Sequence, residues 1–244
     1  MKSLLVFIPT LNESGTIETL LEKVHFINPS ADILVIDDNS TDGTQEILRG
    51  LESKLPLKVI NRPTKMGIGT AHIQALNFAM SSGYRLMISM DADGAHDPIF
   101  IPDFLGAMQT AEVSLVVGSR YMRIDSLSEW SNFRKLLTHS VHLLTRILLG
   151  LKYDTSSGFR CYKMQDLPVV VLSDLTSTGY DFFFESMYEM NAMKLKIREV
   201  SIVLPARTYG HSKMTLGLAL TAFRTLIIVS LRRIKRERTR SEKQ

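Results

Sequence analysis

The sequence predicts an α/β protein, a mostly parallel sheet flanked by helices and followed by a C-terminal amphipathic helix and a basic tail. Three observations predict it. Short apolar runs alternate with helix-period segments through the first two thirds of the 244-residue chain, and continuous apolar strands belong to parallel sheets covered on both faces. Polar and glycine residues gather where those runs end, the edge at which such sheets bind ligands. The last third changes to long helical periodicities and finishes in a run of cations.

Leu4 to Ile8 reads as the first strand. It leaves through Pro9-Thr10-Leu11-Asn12-Glu13-Ser14, where Asn12 or Ser14 can cap a helix with apolar face Ile17, Leu20, Leu21 and Val24. Ile33 to Ile36 is the second strand, ending in Asp37-Asp38-Asn39-Ser40-Thr41-Asp42-Gly43, and a helix from Thr44 to Leu51 follows. After a third strand, Leu57 to Ile60, Lys65-Met66-Gly67-Ile68-Gly69 opens a helix through Met80. The fourth strand, Leu86 to Met90, ends in Asp91-Ala92-Asp93. A helix near Pro102 to Met108 and a fifth strand from Leu115 to Val117 complete the repeated units.

Beyond them, Asn132 to Gly150 is a long helix, Asp154 to Gly158 a loop, and Phe159 to Tyr162 a short strand. A helix from Phe182 to Asn191 and a strand from Ile197 to Leu204 follow. Leu216 to Leu231 is the most apolar window, but 16 residues with Arg224 inside are too short and too polar to span a bilayer. It reads as an amphipathic helix that lies on a membrane or packs on the body. The expected division is a domain over residues 1–215 and a surface helix with a polybasic tail over residues 216–244.

Composition sets bounds. Apolar residues make up 45% and charged residues 22%, which describes a globular chain with a real core. One cysteine, Cys161, excludes an internal disulfide framework and fits a reducing compartment. The apolar run at the N-terminus stops at Pro9 after five residues, a first strand and not a signal peptide. From Arg224 onward eight cations face two carboxylates, a net +6 that leaves the body near −2 although the whole chain is +4. The basic balance therefore belongs to the tail and not to a nucleic-acid groove. At roughly 1 kcal/mol per cation, such a tail adds several kcal/mol of attraction to an anionic leaflet.

The chemistry centres on Asp91 and Asp93. Two carboxylates at the carboxyl edge of a parallel sheet suit Mg²⁺ or Mn²⁺ held against substrate phosphates. A lone D-x-D is common, and its neighbours give it meaning. Pro9-Thr10-x-Asn12-Glu13, Ile36-Asp37-Asp38-Asn39-Ser40-x-Asp42-Gly43-Thr44, Met90-Asp91-Ala92-Asp93, Gly118-Ser119-Arg120-Tyr121, Gly158-Phe159-Arg160-x-Tyr162 and Arg207-x-x-Gly210-x-Ser212-Lys213 occur in that order. Over about residues 3 to 215 the chain resembles the family 2 glycosyltransferases of the Rossmann-like GT-A fold. The closest likeness is to their dolichol-phosphate (polyprenyl-phosphate) mannose synthase branch.

The resemblance implies roles. Pro9, Thr10, Glu13 and Asp38 would contact the base and ribose of a nucleotide-sugar, with Gly67 and Gly69 in a further nucleotide-side loop. For the Asp37 to Ser40 stretch the competing reading is turn and helix-cap chemistry, and for the glycines a tight turn. Asp91 and Asp93, flanking Ala92, would hold the cation on the diphosphate. Ala95 offers no oxygen where the family often has Gln or Ser, and His96 reads as a surface or packing residue. Arg120, Arg134, Arg207 and Lys213 would contact phosphate, with Thr138 keeping a hydroxyl one turn after Arg134. Asp91, Arg120, Arg134 and Thr138 form the expected catalytic set. Asp154 belongs to a loop resembling one that closes over the site. Glu185 could bind sugar hydroxyls, act as a base or cap a helix face.

A phosphate monoester acceptor, with a second pKa of about 6, is anionic at neutral pH and needs cations more than a base. The expectation is thus an inverting, metal-dependent hexosyltransferase on the cytoplasmic face of a membrane. Its donor would be GDP-mannose ahead of UDP-glucose, and its acceptor a polyprenyl or dolichyl phosphate. Its partners would be the membrane surface and, as in some relatives, a small membrane-anchoring subunit, with no nucleic acid. The alternatives are a transferase acting on a saccharide or protein, which needs Glu185 or another carboxylate as base, and a non-catalytic nucleotide-sugar-binding subunit.

Overall fold

The computed structural model describes residues 2–128, 130–205 and 216–241. Strands β1 (Lys2–Thr10), β2 (Asp32–Asp37), β3 (Leu57–Asn61), β4 (Tyr84–Ser89), β5 (Leu115–Ser119), β6 (Arg160–Lys163) and β7 (Ile197–Ser201) form one sheet. Their order is β3-β2-β1-β4-β6-β5-β7. Helices α1 (Ile17–Ile27), α2 (Thr44–Leu51), α3 (Ile68–Ser81), α4 (Ile101–Met108), α5 (Asn132–Leu149), α6 (Val169–Asp174), α7 (Phe182–Ala192) and α8 (Leu216–Ser241) cover it.

Side chains alternate faces along a strand, so a strand covered on both sides is apolar at every position. In β1, Leu4, Val6 and Ile8 pack with Leu20, Leu48 and Phe104 of α1, α2 and α4. Leu5 and Phe7 pack on the opposite face with Leu76 of α3 and Met187 of α7. Each such side chain contributes about 1.5–3 kcal/mol when buried. The unbroken apolar runs are the consequence of this two-sided core.

β1 pairs in parallel with both β2 and β4. The chain winds to β3 on one side and to β4 on the other, which makes the carboxyl edge of β1 and β4 a topological switch point. The sheet departs from the repeated-unit expectation in one respect: β5 is not beside β4. β6 lies between them, antiparallel to both. An antiparallel strand starts where its neighbours end, so the loop entering β6 arrives at the edge where β4 and β5 leave the sheet.

Neither Asn12 nor Ser14 caps α1, whose preceding residue Thr16 makes no side-chain cap bond to it. Both residues instead tie the loop after β1 to the loop after β2. Asn12 Oδ1 accepts from the Thr41 N–H at 2.8 Å, the Asn12 N–H donates to Ser40 Oγ at 2.8 Å, and the Ser14 N–H donates to Asp42 Oδ2 at 3.0 Å. Burial works against charge on Asp42, but donors from Thr44 and Ser14 outweigh it and draw its pKa down to about 2. The terminal helix also differs from expectation, because α8 runs on as helix to Ser241 where a separate tail was expected. Among the described residues no helix is long and apolar enough to cross a membrane.

Candidate functional site

A cleft opens at the switch point. Its walls come from the exits of β1 (Pro9, Thr10, Leu11, Glu13), β2 (Asp38) and β4 (Asp91, Ala92, Asp93). The loop into α3 (Lys65, Gly67, Ile68) and the residues before α7 (Gly179, Tyr180) complete it. Pro9, Thr10, Glu13, Asp38, Gly67, Asp91, Ala92 and Asp93, singled out from the sequence, therefore share one cavity. Lys65 and Tyr180 are further lining residues that the sequence reading did not select.

The two carboxylates at the end of β2 have separate jobs. Asp37 is fully buried and accepts from Thr10 Oγ1 at 3.0 Å, the Ser40 N–H at 2.8 Å and Gln45 Nε2 at 2.7 Å. Turn chemistry holds for Asp37. Asp38 reaches the cleft, yet it also accepts from the Met66 and Gly67 N–H groups at 2.7 and 2.8 Å and pairs with Arg62 at 3.2 Å. Arg62 is buried and also donates to Gln74 and to the Gly67 carbonyl. Asp38 thus shapes the 65–69 loop, and one of its roughly four acceptor positions is left towards the cavity. No sequence pattern marks Arg62, which lies 24 residues from its carboxylate.

Gly67 and Gly69 are glycines because another backbone lies against them. A Cβ on Gly69 would sit 2.7 Å from the Ser177 carbonyl oxygen, and one on Gly67, at φ +93°, would fall on the Thr178 carbonyl. The Gly69 N–H donates to that same Thr178 carbonyl at 2.9 Å.

Asp91 and Asp93 stand where β4 leaves the sheet. The Asp91 N–H donates to His96 Nδ1 at 2.9 Å, and the imidazole stacks on Phe159 with centroids 5.0 Å apart. His96 is buried and fixes the Asp91 backbone, the packing alternative of its two readings. Gly158 lies so close that a Cβ there would come within 3.1 Å of Asp91 Oδ1. The Ala95 N–H donates to Asp93 Oδ1 at 3.1 Å, so this residue contributes through its backbone. Thr16 Oγ1 donates to the Ala92 carbonyl at 2.8 Å. Two carboxylates at a strand end suit a hard cation that completes its shell with substrate phosphate and water. Among the described residues no cluster of three His, Cys, Asp or Glu side chains forms a fuller cage.

Past β5, Arg120 donates through its backbone N–H and through Nε to Asp154 Oδ2, the latter at 2.8 Å. Burial works against the guanidinium charge, but Asp154, with smaller contributions from Tyr121 and Asp91, outweighs it and raises the pKa. Asp154 is fully buried at the entry to β6, where the antiparallel strand brings it. Tyr121 Oη donates to the Thr138 carbonyl at 3.3 Å, joining the β5 exit to α5. Arg134 lies on the same helix, and its side chain is outside the described set. Arg207 and Lys213 fall outside the described residues.

Of the roles open to Glu185, the structure favours a structural one. It is fully buried and accepts from the Thr176 N–H, Thr176 Oγ1, the Ser177 N–H and Arg232 Nη1, all within 2.9–3.1 Å. With both oxygens engaged away from the cleft lining, it does not face the cavity as a base.

Residues 5–168 match the model of glycosyl transferase family 2. The undecaprenyl-phosphate mannosyltransferase of Micrococcus luteus is 34% identical over 216 residues, covering 88% of each chain. The polyprenol monophosphomannose synthase of Mycolicibacterium smegmatis is 33% identical over 214 residues, covering 86% of this chain and 80% of the relative. The solved structure of glucosyl-3-phosphoglycerate synthase from Mycobacterium tuberculosis with uridine diphosphate superposes with a TM-score of 0.67 at 19% identity, covering 94% of this chain and 80% of that one. The same enzyme with Mn²⁺, uridine diphosphate and glucosyl-3-phosphoglycerate gives 0.65 at 22% identity. These solved structures share the fold. With the family model spanning β1 to β6 and the β4-end carboxylates, and two relatives above 30% identity along most of the chain, the protein belongs to glycosyl transferase family 2 and is a glycosyltransferase.

Proposed function

We propose that the protein transfers mannose from GDP-mannose to a polyprenyl phosphate, with inversion, at a membrane surface. The observation that carries this reading is the convergence of the β1, β2 and β4 exit residues on one cleft, in a chain whose relatives are named for polyprenyl-phosphate mannosylation. The nucleoside lies along Pro9, Thr10, Glu13, Asp38 and Gly67. Asp91 and Asp93 hold Mg²⁺ or Mn²⁺. When bound, the cation offsets the charge of the departing diphosphate.

The acceptor phosphate is already anionic at neutral pH, with a second pKa of about 6. One of its oxygens forms the new bond to the anomeric carbon as the bond to the nucleoside diphosphate breaks on the opposite side. Arg120, oriented by Asp154 and close enough to Asp91 to feel its field, holds the phosphates at the junction of the two substrates. Arg134 and Thr138 on α5, with Arg207 and Lys213, serve the acceptor. A saccharide or protein acceptor would need a placed base, and the burial of Glu185 removes the candidate singled out for that task.

The outer faces of α5 and α8 supply the lipid-facing surface. Leu136, Leu143 and Ile147 of α5 and Leu220, Phe223, Ile227 and Leu231 of α8 are large, apolar and exposed. These exposed faces support a peripheral seat on a membrane, on the cytoplasmic leaflet in this reading.

Donor and metal are tested by calorimetric titration of the protein with GDP-mannose and UDP-glucose, with and without Mn²⁺. The expected result is tighter binding of GDP-mannose, dependent on Mn²⁺ and lost in Asp93→Asn. Metal-independent binding unchanged in that variant would overturn the assignment.

A further inference from the structure

The terminal helix reaches into the wall of the cleft. α8 packs on the body through Leu226 and Val229, both buried in the core, and through polar side chains beside them. Thr225 Oγ1 donates to Asp181 Oδ2 at 2.8 Å, Arg232 Nη1 to Glu185 Oε1 at 3.0 Å, and Arg236 Nη1 to Glu189 Oε2 at 2.8 Å. Glu185 and Glu189 are almost completely buried, whereas the side chains of Arg232 and Arg236 are 33% and 42% exposed. The carboxylates are dry and the cations half wet. Such pairs hold a helix weakly when measured from the cation, but removing the cation leaves a buried carboxylate without its counter-charge.

Two short chains of contacts run from these pairs to the cavity. In the first, Glu185 binds the Thr176 and Ser177 N–H groups at 3.1 and 2.9 Å. The next residue, Thr178, accepts from the Gly69 N–H at the start of α3, and both Gly67 and Gly69 lie tight against it. In the second, Asp181 accepts from Thr225 on one oxygen and from the Gly179 N–H on the other at 3.1 Å. Gly179 and Tyr180 line the cleft, as do Gly67 and Ile68 beside them. Residues 176–180 are therefore suspended between α3 and the side chains that α8 holds in place.

We infer that Arg232 and Thr225 are positioning residues of the donor cleft: by seating α8 on Glu185 and Asp181 they set the 176–180 wall, and with it the affinity for a nucleoside diphosphate. The inference rests on the reading of this cleft as the nucleotide site. It assigns α8 a task beyond contact with a surface, because the inner side of the helix governs the donor while its outer side is apolar. Neither residue reaches the substrate; each acts through a carboxylate of the segment around the start of α7.

The test uses the full chain and GDP with Mn²⁺ as the probe. Arg232→Met, Thr225→Val and Arg232→Lys are compared with Arg224→Met, which removes an exposed cation of the same helix, and amide exchange is followed in all of them. Arg232→Met is expected to weaken GDP·Mn²⁺ binding about ten-fold. It should speed exchange at Thr176, Ser177 and Gly69 while leaving β2 amides protected. Thr225→Val should act in the same direction on a smaller scale, Arg232→Lys should restore part of the affinity, and Arg224→Met should match the wild type. Binding by Arg232→Met within about two-fold of wild type, or loss of protection throughout the sheet, would overturn the inference alone. A wild type that binds neither GDP nor UDP would overturn the nucleotide reading and the inference with it.

Discussion

His72 shows how much of the site's support is invisible from the cleft. It lies buried in α3 against Phe7, Phe182 and Phe183, with ring centroids 5.0–5.1 Å away and no hydrogen-bond partner for either nitrogen among the described residues. Burial, aided by nearby Arg160 and to a smaller degree by His96, lowers its pKa to about 3. In the unfolded chain it titrates near 6.5. Between those values the unfolded state binds a proton that the folded state refuses, so stability is full above about pH 6.5 and falls as pH drops, by about 1.4 kcal/mol per pH unit. Urea midpoints at pH 7 and pH 5 should therefore drop more for the wild type than for His72→Leu, and equal drops would show that His72 is protonated inside the fold. Pro9, Thr10, Glu13 and Asp38 are marked in the sequence by the ordered motifs of the family resemblance, and Asp91 and Asp93 also by their place at a strand end, where a parallel sheet binds ligands. Arg62, His96 and the true partners of Glu185 are not. Their contacts join residues far apart in the chain or through the backbone, and neither leaves a periodic signal.

At the scale of elements, β6 and α8 depart furthest from what pattern reading gives. Four apolar-to-polar residues fix a strand but not its direction, and only the antiparallel insertion of β6 explains why Asp154 meets Arg120 and Gly158 meets Asp91. In α8 the expectation of a net +6 free to face a leaflet is modified. Arg232 and Arg236 are spent on Glu185 and Glu189, and Arg233 donates to the Ile147 and Leu148 carbonyls at the end of α5. In the proposed reading, membrane contact therefore rests more on the apolar outer faces than on the charge count. Phe223 and Leu231 are 52% and 61% exposed on that side. Replacing both with Glu should abolish co-sedimentation with phosphatidylglycerol vesicles while leaving the helical circular dichroism unchanged. Undiminished sedimentation would place the membrane contact elsewhere.

For the whole molecule, the chain runs from β1 outward to β3, returns to place β4 on the other side of β1, and then sets β6 between β4 and β5; the cleft lies at the β1–β4 switch. The first half supplies a nucleotide-side cleft from parallel strand ends, legible because its strands are apolar on both faces. The second half returns through β6 and α7 to pair Asp154 with Arg120 and to set Gly179 and Tyr180 in the cleft wall, and spacing alone cannot show such a return. The central claim is that this cleft serves transfer to a lipid phosphate. It is tested most directly by incubating the protein with Mn²⁺, labelled GDP-mannose and polyprenyl phosphate in detergent, then measuring label that partitions into organic solvent. Organic-phase label is expected with wild type, none without the lipid phosphate, and at least about a hundred-fold less with Asp91→Asn, because a charge-stabilising contact at the reacting centre is removed. Label that stays in the aqueous phase with every nucleotide-sugar offered, or an undiminished rate in Asp91→Asn, would contradict that claim.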